Sequence, residues 1–537
     1  MSIVRLFHTV RHLKPVQITN RFGRRLVRPR LWAGETPAII SSKRRWETIA
    51  ALPASIVDAD TARFLSEPGA LREWRNPKKS HLWLYNLHYF DDLHAQSASQ
   101  RVATHRALIS HWLEANPPAI GVGWEPYPTS LRIVNWVKWL LAGNEPVPAM
   151  LESVYQQAHV LNQQLEFHLQ GNHLMANAKA LVFAGSLFEG DVAQGWLQKG
   201  LALLDEQHRE QLLADGAHFE LSPMYHAIIL MDVLDLIQLA QCYPGGALGH
   251  KMQEWRGTAV AMTNWLEGML HPDGEIPFFN DAAFGIAPAP TEILDYAHKL
   301  GVVRPVADGA THHYDVSGYI AVRQHNQVAL LDVAPIGPDY IPGHAHADTL
   351  SFEWSLFGQR VLVNSGISEY GVSAERLRQR GTAAHNTVAV NGEDSSEVWS
   401  GFRVARRASP FDVELRTAGD STIVKASHTG YQRLRPKVTH SRTWRVEPGA
   451  LIVKDSLRGQ YKHAVAFFHI HPAVSVVCEG QLFVLNLPSG QRCEVTVIGG
   501  SAVLDDSTWH PEFGLSQPNK RIAVTFLAPT IETTFSY

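Results

Sequence analysis

Hydrophobic periodicity changes once along this chain, and that change restricts the possible folds more than any other feature. Between about 81 and 300, segments such as HRALISHWLEA, SLRIVNWVKWLLA, HLMANAKALVFAGSLF and YHAIILMDVLDLIQLAQ place apolar residues at i, i+3 or i+4, and i+7. That is the spacing of one helix face. The connections ANPPAIGVG, GNEPVP and YPGGALG are short and rich in helix breakers, which predicts antiparallel helical hairpins. Near 310 the pattern becomes alternating. SGYIAVRQHNQVALLDV, RVLVNSG, NTVAVNG, ALIVKDSL, HAVAFFHIH and CEVTVIGGSAVL are short β-branched runs punctuated by Gly, Asn, Asp and Pro, which predicts an antiparallel β-sandwich. The expected units are a basic, turn-rich extension at 1–80, a helical domain at 81–305 and a sandwich domain at 306–537.

With 45% hydrophobic and 18% charged residues, the chain has the balance of a folded globular protein. Its formal net charge of −3 argues against a nucleic-acid partner. Three scattered cysteines, Cys242, Cys478 and Cys493, predict buried thiols rather than disulfides or a thiolate metal site. No segment matches the roughly 20 apolar residues of a membrane span. The N-terminal MSIVRLFHTVRHL lacks a long apolar region and a cleavage site, so it reads as a solvated basic arm in a cytoplasmic chain. Periplasmic placement, or docking on an anionic surface, is the alternative.

Three constellations carry chemistry. In HLQGNHLMANAKAL, Asn172 and His173 sit at a predicted helix start, where an amide, an imidazole and the positive dipole end suit a carboxylate. In HFELSPMYHAIIL, Ser222 and Pro223 form an N-cap and first-turn pair, placing Tyr225 where the dipole is expected to favour its phenolate. In IPGHAHADTLSFEW, His344, His346 and Asp348 alternate, and on an extended strand they would share one face. Downstream lie Asn364, His385 and Asn386. WEPYPTSLRIVNW supplies Trp124, Tyr127 and Arg132, which could line a sugar cleft or simply pack. HIHP at 469–472 reads as core strand, and GVG at 121–123 as a turn.

Together GNHLMANAKAL, ELSPMYH, PGHAHADTLSFEW, RVLVNSG and RGTAAHNTVAVNG resemble, in order, the heparinase II/III-like polysaccharide lyases. LWLYNLHYFDDL is similar to members associated with bacterial exopolysaccharide or O-antigen clusters. The resemblance implies an N-terminal (α/α) toroid followed by a C-terminal antiparallel β-sandwich, with a cleft between them. It implies β-elimination on an acidic, uronate-containing polysaccharide or oligosaccharide. Asn172 and His173 would neutralise the uronate carboxylate, Tyr225 would act as acid and base, and His344 would assist. Apart from the resemblance, Trp124, Tyr127, Arg132 and Asn386 are the candidate substrate-binding residues. His346 and His385 match positions that hold a metal, often zinc, and Asn364 stands where the third ligand is usually Asp. A weak structural zinc site is therefore expected.

The chemistry accounts for these residue types. The C5 proton of a uronate becomes acidic enough to remove only when its carboxylate is neutralised. A base then takes the proton and an acid protonates the departing oxygen. Two rivals stay open at this level. A glycoside hydrolase would need paired carboxylates, with Glu125, Glu220, Asp273, Glu275 and Asp281 available. A non-catalytic polysaccharide-binding or assembly protein would keep the fold without turnover.

Overall fold

A computed structural model describes residues 3–23, 28–302 and 310–537. The expected boundary at 305/306 lies outside the described residues. The described residues of the 1–80 extension include regular structure. It forms helices α1 (Ile3–Val10) and α2 (Pro15–Gly23), then a small hairpin pairing Thr61–Phe64 with Glu67–Ala70. Between them the chain is stitched to the helical layer, as in Ile40 N–H to Leu187 O and Trp46 N–H to Leu141 O at 2.7 and 3.0 Å.

The helical part contains α3 (His81–Tyr89), α4 (Val102–Ala115), α5 (Pro126–Leu141), α6 (Met150–Asn162), α7 (Gly171–Leu187), α8 (Asp191–Gln211), α9 (Pro223–Cys242), α10 (Gly246–Gly268) and α11 (Pro290–Lys299). Successive helices pack as hairpins, α7 on α8 and α9 on α10, because each carries an apolar face it cannot bury alone. The α7–α8 pair is unusually close. A Cβ on Gly185 would sit 2.5 Å from Leu197 N, and one on Gly200 would sit 2.8 Å from Ala178 O, so glycine sets this spacing. By composition α9 is long and apolar enough to cross a bilayer, but 83% of its apolar window is packed inside the protein. It also carries Asp232 and Asp235, both 2.6 Å from Lys179 Nζ.

The C-terminal part is built on two large antiparallel sheets packed face to face, with a small pair of Val398–Trp399 and Arg403–Val404 beside them. One has eight strands, from Pro410–Ala418 at one edge to Ser475–Glu479 at the other. The second, nine-stranded sheet includes Phe352–Leu356, Gln327–Asp332 and Ala464–Ile470, and its neighbour is the helical layer. Phe352, Trp354, Phe468, Trp444, Val453 and Phe535 fill the space between the sheets. The order is the helical hairpins and sandwich expected from the periodicity switch, and the toroid-plus-sandwich that the family resemblance implies. Arg323 crosses the joint, its guanidinium donating to Leu270 O and Gly268 O at 2.5 and 2.8 Å. A short helix α12 (Ala374–Arg380) and the loops after Asp332 extend from the sandwich toward the toroid and carry much of the site.

Candidate active site

A cleft of about 960 Å³ lies between the two parts, with Asn172, His173, Tyr127, Glu220, Tyr225, His344 and Tyr370 among its walls. Each arrives there for a local reason. Ser222 accepts from Tyr225 N–H at 3.2 Å and Pro223 occupies the first turn, so α9 starts where the sequence places it. Asn172 and His173 open α7 after Gly171, whose φ of +56° is a glycine conformation. A Cβ there would meet Ile341 Cδ1 at 2.6 Å, so glycine also lets the α7 terminus approach the loop that carries His344.

The HAHAD segment is not a strand. Pro342–His344 is a 3-10 turn, extended loop follows, and regular pairing begins at Phe352. The backbone therefore sends its side chains to two places. His344 enters the cleft, stacked on the Tyr225 ring with centroids 4.0 Å apart and planes 14° apart. His346 and Asp348 turn into the interior. The turn arises because Pro342 and Gly343 precede His344, chemistry that competes with the alternation.

His344 is oriented by a residue on the far side of the cleft. Glu220 Oε2 accepts from its Nδ1, and Glu220 is buried. Burial pushes the Glu220 carboxyl up, but the adjacent His344 imidazole overrides it and leaves the pKa below the ordinary glutamate value. Glu220 is thus an anion that holds Nδ1–H, leaving His344 Nε2 as the ring's basic atom. Tyr225 behaves differently from expectation. Its hydroxyl lies 3.0 Å from Tyr370 Oη. Burial, with Tyr370 and Glu220 close by, pushes its pKa well above the usual phenol value. Desolvation outweighs the helix dipole, so Tyr225 is a neutral phenol and not a phenolate. On the opposite wall the Tyr127 and His173 rings are 4.4 Å apart, and His173 Nδ1 lies 3.3 Å from Glu166 Oε2.

Three expected substrate contacts are not in the cleft. Trp124 is buried with its Nε1–H on Asn116 O at 3.2 Å and its ring tilted against Trp112. Arg132 is fully buried, lying 4.0 Å over the Trp112 ring and donating to Gln157 Oε1 at 2.9 Å. Asn386 is buried below the site, where it accepts from His469 N–H at 2.6 Å and donates to Phe352 O at 2.8 Å. All three satisfy buried backbone or side-chain polar groups, a role helical and strand spacing does not distinguish from ligand binding. Of the five carboxylates considered for hydrolysis, Glu220 alone lines the cleft. Asp281 is locked beneath it by Arg376 Nη2 at 2.7 Å, and Asp273 is held by Arg360 Nε at 2.6 Å.

Beneath His344 lies a ligand-capable cluster of His346, Asp348 and His385, whose donor atoms all fall within 4.8 Å of one another. His346 Nδ1 and His385 Nε2 are 3.2 Å apart, close to the roughly 3.3 Å separating two nitrogens on one tetrahedral zinc. Asp281 Oδ1 lies 2.7 Å from His346 Nε2 and fixes that proton, freeing Nδ1 as a lone-pair donor. Burial pushes the Asp348 carboxyl up, which an adjacent cation would reverse. The donor set suits zinc, and Asp348 is the carboxylate that could join the two histidines. The amide oxygen of Asn364 already accepts from Asn386 N–H at 3.1 Å. Glu220 and Tyr370 were not among the proposed acting residues. Glu220 stood within ELSPMYH, three residues before the N-cap pair's end, but as one candidate carboxylate among five.

Residues 138–290 match the family described as Heparinase II/III N-terminus, and residues 307–537 match Heparinase II/III-like, C-terminal. Similar curated proteins include a heparin-sulfate lyase of Bacteroides stercoris, 23% identical over 356 residues, covering 62% of this chain and 51% of that protein. Another, from Pedobacter heparinus, is 24% identical over 324 residues, covering 53% of this chain and 47% of that protein. The chain spans about half the length of these curated relatives. Among solved structures, a heparinase III aligns with a TM-score of 0.68 at 17% identity over 88% of this chain and 80% of its own. The heparan sulfate lyase HepC of Pedobacter heparinus aligns at 0.59 and 18% identity over 86% of this chain and 78% of its own. With both halves of the chain matched in order and the fold shared, the protein belongs to the heparinase II/III-like family.

Proposed function

We propose that this protein cleaves a uronate-containing polysaccharide by β-elimination. The observation that carries the reading is the stacked Tyr225–His344 pair, a neutral phenol beside an imidazole whose Nδ1–H is held by Glu220, all lining one cleft. Asn172 and His173, at the α7 N-terminus, offer donors and a positive dipole end to the uronate carboxylate. His344 Nε2 takes the C5 proton, and the C–H electron pair becomes the C4–C5 double bond. The C4–O bond breaks, and Tyr225 gives its proton to the departing oxygen. His344 has then gained one proton and Tyr225 has lost one, so transfer between these adjacent groups restores the site. A raised Tyr225 pKa fits the acid role, because the proton stays on until the leaving oxygen becomes strongly basic.

The names of the curated relatives support a glycosaminoglycan-like acidic substrate. The hydrolytic reading is disfavoured because each carboxylate in the cleft lining is already engaged, Glu220 with His344, Asp91 with Asn135 and Asp339 with Arg407. Zinc, if bound by His346, His385 and Asp348, would organise the floor under His344 electrostatically, and the elimination runs through residues of the chain. The test is mass spectrometry of digested uronate polymers. Ends lacking one water, with new ultraviolet absorbance, are expected. Products that have gained water would overturn the lyase reading, and binding without turnover would favour a non-catalytic role.

A further inference from the structure

Helices α1 and α2 are amphipathic in the wrong sense for a helix that merely packs on its own protein. In α1, Ile3, Phe7 and Val10 recur at i, i+4 and i+7, with Val4 beside them, and none of its residues is buried. Ile3 is 85% exposed and Phe7 61%, and in α2 Phe22 is 63% exposed with Ile18 one turn before it. The polar side is the one attached to the body. Thr9 Oγ1 accepts from Trp399 Nε1–H at 3.1 Å, and Lys14 Nζ pairs with Glu210 and lies 3.9 Å over the Tyr340 ring. Gln17 donates to Tyr340 O at 3.3 Å. The helices are therefore pinned by these polar groups, with Leu6, Leu13 and Val16 half-buried beside them, while Ile3, Phe7 and Phe22 point to water.

Charge selects the occupant. The first 34 residues contain eight Lys and Arg and no Asp or Glu. The acidic groups that do approach from the body are already engaged, Glu210 with Lys14 and Asp339 with Arg407. A helix with an apolar stripe, flanking arginines and no acid is the form that lies in the plane of a negatively charged bilayer. A second copy meeting the first through the same helices would bring basic segment against basic segment. Val10, Ile18, Arg21 and Phe22 also line the mouth of the cleft, whereas Ile3, Val4 and Phe7 stand outside it.

We infer that α1 and α2 form an in-plane anchor that seats the rim of the cleft on an anionic lipid surface. The site is independent of the proposed elimination, since none of Ile3, Phe7, Arg5 or Arg11 belongs to the chemical groups named above. The full chain should sediment with vesicles containing about one third phosphatidylglycerol and not with pure phosphatidylcholine vesicles, and added salt should weaken the binding. Ile3→Ser with Phe7→Ser, and separately Arg5→Glu with Arg11→Glu, should each weaken it at least about tenfold. Melting temperature and turnover of soluble glycan should not change in either variant. Failure to bind anionic vesicles, or equal binding to both vesicle types, would overturn the inference. So would lipid-free dimerisation that the Phe7 variant abolishes, which would assign the stripe to a second copy.

Discussion

Replacing Glu220 with Gln tests the part of the site that most depends on the tertiary structure. The side chain keeps its size and its contact with His344, but loses its charge. Glu220 is buried and its anionic form is held by the imidazole it touches. A hydrogen bond to a charged group in such surroundings is worth about 1.5–3 kcal/mol. In the proposed elimination its value is greatest when His344 carries the abstracted proton, so the loss would fall on the transition state. At about 1.36 kcal/mol per decade, kcat should drop roughly 10- to 160-fold. KM should change little, because Glu220 faces His344 rather than the uronate. The assay is initial rate by ultraviolet absorbance on a uronate polymer, with a melting curve to show that Glu220→Gln is folded. A folded variant with near-wild-type kcat would refute the orienting role, and a raised KM with unchanged kcat would reassign Glu220 to substrate binding.

Tyr225→Phe should keep the fold, since the ring still stacks on His344, and should lower kcat by about 10²-fold or more. Near-wild-type turnover would remove Tyr225 from the chemistry. Asp348→Asn should reduce zinc content in elemental analysis, and chelator should lower the melting temperature of the parent more than that of the variant. Equal metal content and equal chelator response would show that Asp348 holds no metal. In the sandwich, Asp455 lies 2.7 Å from both Arg442 Nε and His440 Nε2. Burial would raise its pKa, but Arg442 and His440 hold it at about 2, below the ordinary carboxylate value. Its folded pKa being the lower, its stabilisation is present above the ordinary value near 4 and is lost as pH falls from there toward 2, about 2 kcal/mol in all. Asp455→Asn should flatten that part of the stability curve. It should also lower the melting temperature by about 6–20 °C at neutral pH, because Arg442 is left buried without its partner. An unchanged acid profile would contradict the assignment.

The two-part architecture was legible in the sequence because it rests on local regularities. A helix period of 3.6 and a strand period of 2 show within a dozen residues, and Ser222–Pro223 marks the α9 start through its own cap bond to Tyr225. GNH at the α7 start and the ordered His-rich motifs were equally readable. What those motifs do in space was not. Alternation in HAHAD predicts one shared face, but Pro342–His344 forms a turn, so His344 meets Tyr225 while His346 and Asp348 enter the interior. Trp124, Arg132 and Asn386 have the residue types of a sugar cleft and the surroundings of a core. The Glu220–His344 and Tyr225–Tyr370 contacts join residues 124 and 145 positions apart. The cluster that could hold a metal likewise depends on His385 meeting a segment 39 positions earlier, His346 with Asp348. Periodicity reports which side of an element is apolar, whereas burial, protonation and partner choice arise when separate elements close around one cavity. Tertiary packing therefore decided that Tyr225 is a neutral phenol, that Glu220 holds His344 through Nδ1, and that Ile3, Phe7 and Phe22 face outward.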